Sequence, residues 1–336
     1  MDAENVALQS FEKTYKTETM DFESLYCYPN NNKSCIKILR KPEILIFMYI
    51  FSAALILITI FGNLFVIITV SHFKQLHTPT NFLVLSLAVA DFLSGFLIMP
   101  PQFSLMMNNC WYFGAGFCPY YITYGYLLLF VSSLHLVIIS VDRYFAVCDP
   151  FFYNRNVTNL RTGMCIVFIW LFASLYTYLF IFKSGGLLVA DLFIDYLLSF
   201  IIPFSVMIGL YSKILLVAKI HTNKIKFGEH KDLSSKQNAD KSSFKRKYKA
   251  MKTVGIVILV FLACWTPYYL FHFASNFVVF SRGLLYVVQW TALFNSSFNP
   301  LIYGFFYPWF RKAFKLFMTC KLFKKDSSLI NLYSKS

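Results

Sequence analysis

The stretch CPYYITYGYLLLFVSSLHLVIISVDRYFAVCDP, residues 118–150, decides the fold. From Pro119 to Val141 it carries no Asp, Glu, Lys or Arg, enough chain to cross a bilayer as a helix. It then closes on Asp142-Arg143-Tyr144, a charged pair where such a span meets water. A charge pair after one apolar run is as readily an interfacial anchor as a functional element. The runs on either side of it change that balance.

Working outward, similar runs occupy Ile44–Ser71, Asn81–Met107, Gly163–Phe182, Leu192–Tyr211, Thr253–Phe280 and Leu284–Tyr307, so the chain holds seven. The second contains Asp91 and the fifth Asp195. Hydrophobic residues make up 57% and charged residues 14% of the chain, with a mean hydropathy of +0.56. A water-soluble domain carries charge on about a quarter of its residues, so this is the composition of a membrane protein. Only helices or closed barrels satisfy the backbone in lipid, and the runs lack the alternation of barrel strands. The predicted fold is therefore all-α: a seven-transmembrane helix bundle over residues 44–307. A tail, residues 1–43, precedes it; residues 308–336 follow, opening with a short amphipathic helix.

The net charge of +15 is a matter of topology. Of 31 Lys and Arg residues, six precede the first span and two, Lys183 and Arg282, lie in the loops after the even-numbered spans. The other 23 lie after spans one, three, five and seven, which puts those loops in the cytoplasm and the N-terminus outside. The expected location is the plasma membrane, with multiple passes and lipids as partners, and nucleic acid is not an expected partner. Residues 1–40 show no apolar core of a signal peptide, and so short a tail is expected to cross without one. Asn32-Lys33-Ser34 is an outer-side glycosylation acceptor.

Polar groups inside the spans are the candidate functional residues, because each costs a few kcal/mol unless it faces the bundle interior. Asp91 is expected among Ser132, Asn295, Ser296 and Asn299, either as a hydrogen-bonded structural network or as a sodium site. No other metal and no cofactor is expected. Pro267 and Pro300 each remove an intrahelical hydrogen bond and kink their spans. Residues 213–252 hold 11 Lys and one Arg against Glu229, Asp232 and Asp240, a cytoplasmic loop whose basic flanks extend spans five and six. Residues 307–317 alternate aromatic and basic side chains, suiting a helix lying on the inner leaflet. Cys320 beyond it is a palmitoylation candidate, with a free thiol as the equal alternative.

Taken in order, Gly62-Asn63, Leu87-Ala88-Val89-Ala90-Asp91, Asp142-Arg143-Tyr144, Trp170, Pro203 with Tyr211, Cys264-Trp265-Thr266-Pro267 and Asn299-Pro300-Leu301-Ile302-Tyr303 resemble a rhodopsin-like (class A) G-protein-coupled receptor. Finer motifs resemble the trace amine-associated receptors, most of all those of fishes. These are Asn32-Lys33-Ser34-Cys35, Cys110-Trp111-Tyr112-Phe113-Gly114, residues 141–150, Phe294-Asn295-Ser296-Ser297-Phe298-Asn299-Pro300 and residues 305–313. The resemblance implies an olfactory-type amine receptor and no enzyme. It implies a stimulatory G protein that raises cyclic AMP, with arrestin and a receptor kinase as further partners. Asp142, Arg143, Tyr144, Tyr211, Pro267 and Tyr303 would form the G-protein switch. Lys247 stands where many amine receptors carry a Glu that holds the motif Arg, so a weak resting lock and basal signalling are expected.

Two departures bear on the ligand end. The family's usual ammonium partner on span three falls at Gly125. Asp195, eight residues before Pro203, is the replacement that a subset of fish receptors resembles, with Asp191 one turn further out. Tyr121, Tyr126, Trp265, Tyr268, Tyr269 and Trp290 would line the cavity and enclose a cation by their ring faces. Receptors of this class also clip Cys118 to a cysteine between spans four and five, and here that loop is short and has none. The outer-side cysteines Cys27, Cys35, Cys110 and Cys118 allow three pairings, which the sequence does not rank. Pairing of Cys118 with an N-terminal cysteine is one expectation; loss of the loop from this sequence is the other. The alternatives to an amine receptor are a class A receptor for a non-amine ligand, or one whose ligand binding is impaired by the short loop.

Overall fold

Pro42 has no N–H to leave unpaired in a first helical turn, and α1 starts on it and runs Pro42–His72. In the computed structural model the described residues are 27, 40–183, 189–227, 235–319, 328 and 330–332, and among them every regular element is helical. Side chains at 182–183, 189–192, 221–227, 235–252 and 282 lie outside the description. The helix α2 comprises Pro79–Leu93, a π turn over Ser94–Ile98, and Met99–Asn108. The Thr78 hydroxyl caps it, accepting the Asn81 N–H at 3.4 Å. After α3 (Phe117–Cys148), Asp149 accepts the Phe152 N–H at 3.0 Å and starts the short α4 (Pro150–Asn156). Thr158 caps α5, which runs Asn159–Tyr178 and continues as a π turn over Leu179–Lys183. Next, α6 comprises Val189–Tyr196, a π turn over Leu197–Ile201, and Ile202–Phe227. The longest helix, α7, is Ser235–Ala274; α8 is Arg282–Phe306, capped by Ser281, and α9 is Pro308–Met318.

The seven expected spans are α1, α2, α3, α5, α6, α7 and α8. Six are long and apolar enough to cross a membrane by length and composition. The seventh, α8, is diluted by Gln289, Thr291, Asn295, Ser296, Ser297 and Asn299, of which Asn295, Ser297 and Asn299 are buried against other helices. Its polarity belongs to the inside of the bundle. The most apolar window of α1 is only 11% buried and that of α2 is 50% buried, so α1 is peripheral and α2 central. Large apolar side chains such as Phe47, Ile50, Leu171, Leu216 and Leu259 stay exposed, as lipid-facing residues do.

None of the three π turns was legible in the sequence, and two of them share a setting. Each precedes proline: Ser94–Ile98 lies before Pro100-Pro101, and Leu197–Ile201 before Pro203. The extra residue in each turn rotates the helix beyond it. The helices also continue through most of residues 213–252. The helix α9 is fixed by Phe65 of α1, whose ring meets Phe310, Phe314 and Phe317 edge-on at 5.0, 5.6 and 5.7 Å. Arg311 donates to the Gly304 and Phe305 carbonyls at 3.2 and 2.7 Å, closing the C-terminus of α8.

Candidate functional site

At the end of the bundle bearing Arg143, polar side chains from three helices converge. The buried carboxylate of Asp142 accepts from Arg143 Nε and from Thr80 Oγ1, each at 2.8 Å, and from the Tyr153 hydroxyl at 3.1 Å. Arg143 also bonds Thr80 and Asp142 through its Nη2. Burial, and then the Asp142 charge, push the Tyr153 phenol above its ordinary value, so it stays a donor. Tyr144 packs with Tyr211 against Ile214 and Ala218, Tyr211 lies on Gly255 of α7, and Tyr303 is buried. Of the expected switch residues, Asp142 and Arg143 are thus drawn together and Tyr144 packs with Tyr211, with Thr80 and Tyr153 as partners of Asp142 that sequence reasoning missed. The Lys247 side chain lies outside the described residues.

In the middle of the bundle, Asp91 is wholly buried and accepts from Ser296 Oγ and Asn299 Nδ2, both at 2.7 Å. Ser132 and Asn295 are buried as well, and Asn295 Oδ1 has no hydrogen-bond partner among the described residues. Beside this network Pro300 has no N–H to offer the Ser296 carbonyl. Asn63 Nδ2 fills the gap, donating to that carbonyl at 3.1 Å and to Thr59 O at 2.9 Å. A Cβ on Gly62 would meet the Pro300 ring at 2.7 Å, so the Gly-Asn pair of α1 fits the proline of α8. Pro267, the other expected kink, lies inside α7.

At the opposite end, a cavity of about 670 Å³ contains Asp195, with Tyr126, Tyr268 and Tyr269 in its wall. Asp195 is half-buried and accepts the Tyr176 hydroxyl at 2.9 Å through Oδ1. Among the described residues no cation pairs with it. Tyr176 of α5 and His272 of α7 line this cavity and had not been singled out. Proline chemistry recurs here: Pro203 cannot donate to the Ser199 carbonyl, and the Tyr269 hydroxyl donates to it at 3.4 Å. A second cavity of about 310 Å³ lies over Gly125, with Tyr121 and Trp265 in its wall. Trp290 lines neither; it stacks on Phe51 and meets Phe103 between α1 and α2. The side chain of Asp191 is outside the described residues.

Among the pairings left open, the structure shows one. Cys27 pairs with Cys110, their Cα atoms 5.5 Å apart, and Cys118 is free. Cys27 is therefore stapled just past the end of α2. Cys110 follows Asn109, which adopts a left-handed conformation (φ 58°) that turns the chain out of α2. Asn32, Cys35 and Cys320 lie outside the described residues.

An all-helical bundle with a buried polar cluster at one end and a cavity at the other is the architecture of a seven-transmembrane receptor. The family model "7 transmembrane receptor (rhodopsin family)" matches residues 62–303. Among curated proteins, trace amine-associated receptor 9 of Mus musculus is 40% identical over 92% of this chain and 94% of its own length. Trace amine-associated receptor 6 of Homo sapiens is 38% identical over 92% of this chain and 95% of its own length. Trace amine-associated receptor 13c of Danio rerio is 35% identical over 93% of this chain and 97% of its own length. The chain belongs to the trace amine-associated receptors of the rhodopsin family; it is a multi-pass membrane receptor and not an enzyme.

Proposed function

We propose that this receptor binds amines through the Asp195 carboxylate and signals through a stimulatory G protein that raises cyclic AMP. The observation that carries the ligand assignment is Asp195 itself: a carboxylate in an aromatic-walled cavity, with no described cationic partner. An ammonium group brings the missing charge, and the rings of Tyr126, Tyr268 and Tyr269 offer cation–π faces worth about 0.5–2 kcal/mol each. The relatives' names support amines as the ligand class.

On this reading the ligand acts by binding the active state better than the resting one, and only that difference shifts the population. Ser199 donates its hydroxyl to the Asp195 carbonyl and gives its own carbonyl to Tyr269. A ligand drawn to Asp195 thereby loads α6 and, through Tyr269, the α7 segment just past Pro267. Release of Arg143 from Asp142 and Thr80 at the far end presents it to the G protein. That end faces the cytoplasm, with the Cys27–Cys110 disulfide outside. A sodium ion is accommodated at Asp91, where the unpartnered Asn295 Oδ1 supplies a spare acceptor. Arrestin and a receptor kinase act on the same cytoplasmic face, and the receptor is of the olfactory type.

The test is a cyclic AMP assay on cells bearing the full-length receptor, against primary, secondary and tertiary amines, with Asp195→Asn alongside. Asn keeps an acceptor for Tyr176 and removes only the charge, so amine responses should fall about a hundredfold, as breaking a partly desolvated ion pair costs roughly 3 kcal/mol. Amine responses that persist in this variant would sink the assignment. The cavity over Gly125 has no charged group in its wall, which favours the second reading, a neutral ligand; activation by neutral odorants in both proteins would support it.

A further inference from the structure

The two cavities share Tyr126, Leu129 and Tyr268 in their walls, so a molecule seated at Asp195 has the cavity over Gly125 as its neighbour. Their chemistry differs sharply. Asp195 is the carboxylate of the first, whereas the second is lined by no carboxylate, ammonium, guanidinium or imidazole. The polar groups of the second form a chain across three helices. The Tyr121 hydroxyl donates to Gln102 Oε1, and Gln102 Nε2 donates to Gln289 Oε1 at 2.9 Å. Both amide oxygens are thus already accepting, and among the described residues two groups of this wall are left as unmet donors: the Gln289 amide N–H at the end of the chain and the buried Trp265 Nε1–H.

We propose that the receptor selects amines carrying one ammonium group and, at the far end, a neutral hydrogen-bond acceptor such as an ether, a hydroxyl or a carbonyl. This deepens the amine reading of Asp195 and rests on it. The ammonium pairs with Asp195, the apolar linker passes Tyr126, Leu129 and Tyr268, and the acceptor takes the Gln289 N–H. An α,ω-diamine fits worst, because its second ammonium is a donor only. In the Gly125 cavity that ammonium would be stripped of water with no carboxylate to pair it. A plain alkylamine leaves the Gln289 donor unmet.

Three homologous series with matched chain lengths test this on the full-length receptor: n-alkylamines, ω-methoxyalkylamines and α,ω-diamines. The readouts are cyclic AMP and, independently of coupling, the ligand-induced shift in thermal unfolding of the purified receptor. At the best chain length the methoxyalkylamine should exceed both counterparts by about tenfold, the effect of leaving one buried polar group unmet. Gln289→Leu should erase the methoxy advantage, bringing the methoxyalkylamine and alkylamine series together. Gly125→Asp should raise the diamine about tenfold and reverse the order. A Cβ at Gly125 meets nothing within 4 Å, so Gly125→Ala separates added bulk from added charge and should keep the original order. A diamine that matches the methoxyalkylamine in the unaltered receptor, or a methoxy advantage that survives Gln289→Leu, overturns the proposal. An alkylamine response that vanishes in Asp195→Asn without any methoxy preference overturns this inference alone. Alkylamine responses that persist in Asp195→Asn, or a failure of every series to bind, remove the amine reading and this inference with it.

Discussion

Asn63 and Pro300 are far apart in sequence, yet one exists for the other, and this can be measured as a coupling. Asn63 is wholly buried, and its Nδ2 supplies the Ser296 carbonyl with the hydrogen bond that Pro300 cannot give. In Asn63→Ala that carbonyl is left unmet in an apolar interior, a loss of about 1–3 kcal/mol, to which the small void adds. In Pro300→Ala an N–H returns at position 300, so the Ser296 carbonyl has an intrahelical donor whether or not Asn63 is present. The double substitution should then cost less than the sum of the two single ones, by about 1–2 kcal/mol, within the range for directly linked residues. Thermal unfolding of the purified receptor measures it, followed with a thiol-reactive dye that reports exposure of the buried Cys264. The midpoint should fall clearly for Asn63→Ala, and adding Pro300→Ala to it should lower it less than Pro300→Ala does alone. Strict additivity of the two shifts would refute the argument that the proline creates the work Asn63 does.

Gly62→Ala pushes a methyl into the Pro300 ring at 2.7 Å and should cost about 1–3 kcal/mol in the same unfolding assay. Cys27→Ser and Cys110→Ser should reduce surface receptor equally, the double substitution adding nothing, while Cys118→Ser leaves it unchanged; a non-reducing peptide map with Cys118 in a disulfide would contradict this. Tyr153→Phe removes one of the donors on Asp142 and weakens the hold on Arg143 by about 1 kcal/mol, so basal second-messenger output should rise roughly fivefold at equal surface expression. Unchanged basal output would mean that Tyr153 does not help to restrain the switch.

The spans were legible because a bilayer imposes length and apolarity on every crossing helix, and the runs around residues 118–150 satisfy both. The seventh was the least apolar, and the reason lies in packing: Asn295, Ser297 and Asn299 are turned into the bundle. The company of Asp91 was half legible. Ser296 and Asn299 bond it, but which of several nearby polar residues point at one carboxylate depends on helix rotation. The π turns were not legible at all, since nothing in the composition of an apolar run marks where one extra residue enters a helical turn. One of them, Leu197–Ile201, begins two residues after Asp195 and sets the rotation of the rest of α6 relative to it. Thr80, Tyr153, Tyr176 and Gln289 were missed for a related reason: each is an ordinary polar residue whose partner is on another helix. The Cys27–Cys110 pair was among the open possibilities, and only the fold brings the tail to the end of α2.

Prolines explain where two of the polar contacts between helices fall. Within a helix each carbonyl is normally consumed by the N–H four residues on, so helices in lipid have little main-chain polarity to offer a neighbour. Pro203 and Pro300 release the carbonyls of Ser199 and Ser296, and side chains from other helices collect both, Tyr269 from α7 and Asn63 from α1. The first of these contacts lies one turn below Asp195, and the second adjoins the Asp91 network. Contacts of this kind are directional and few, so they are made or broken as units, whereas apolar packing yields gradually. On the proposed reading of Asp195, a ligand held there would act first on a hydrogen bond that spans α6 and α7. That is the pair of helices whose inner segments carry Tyr211 and Gly255, in contact with each other near Arg143.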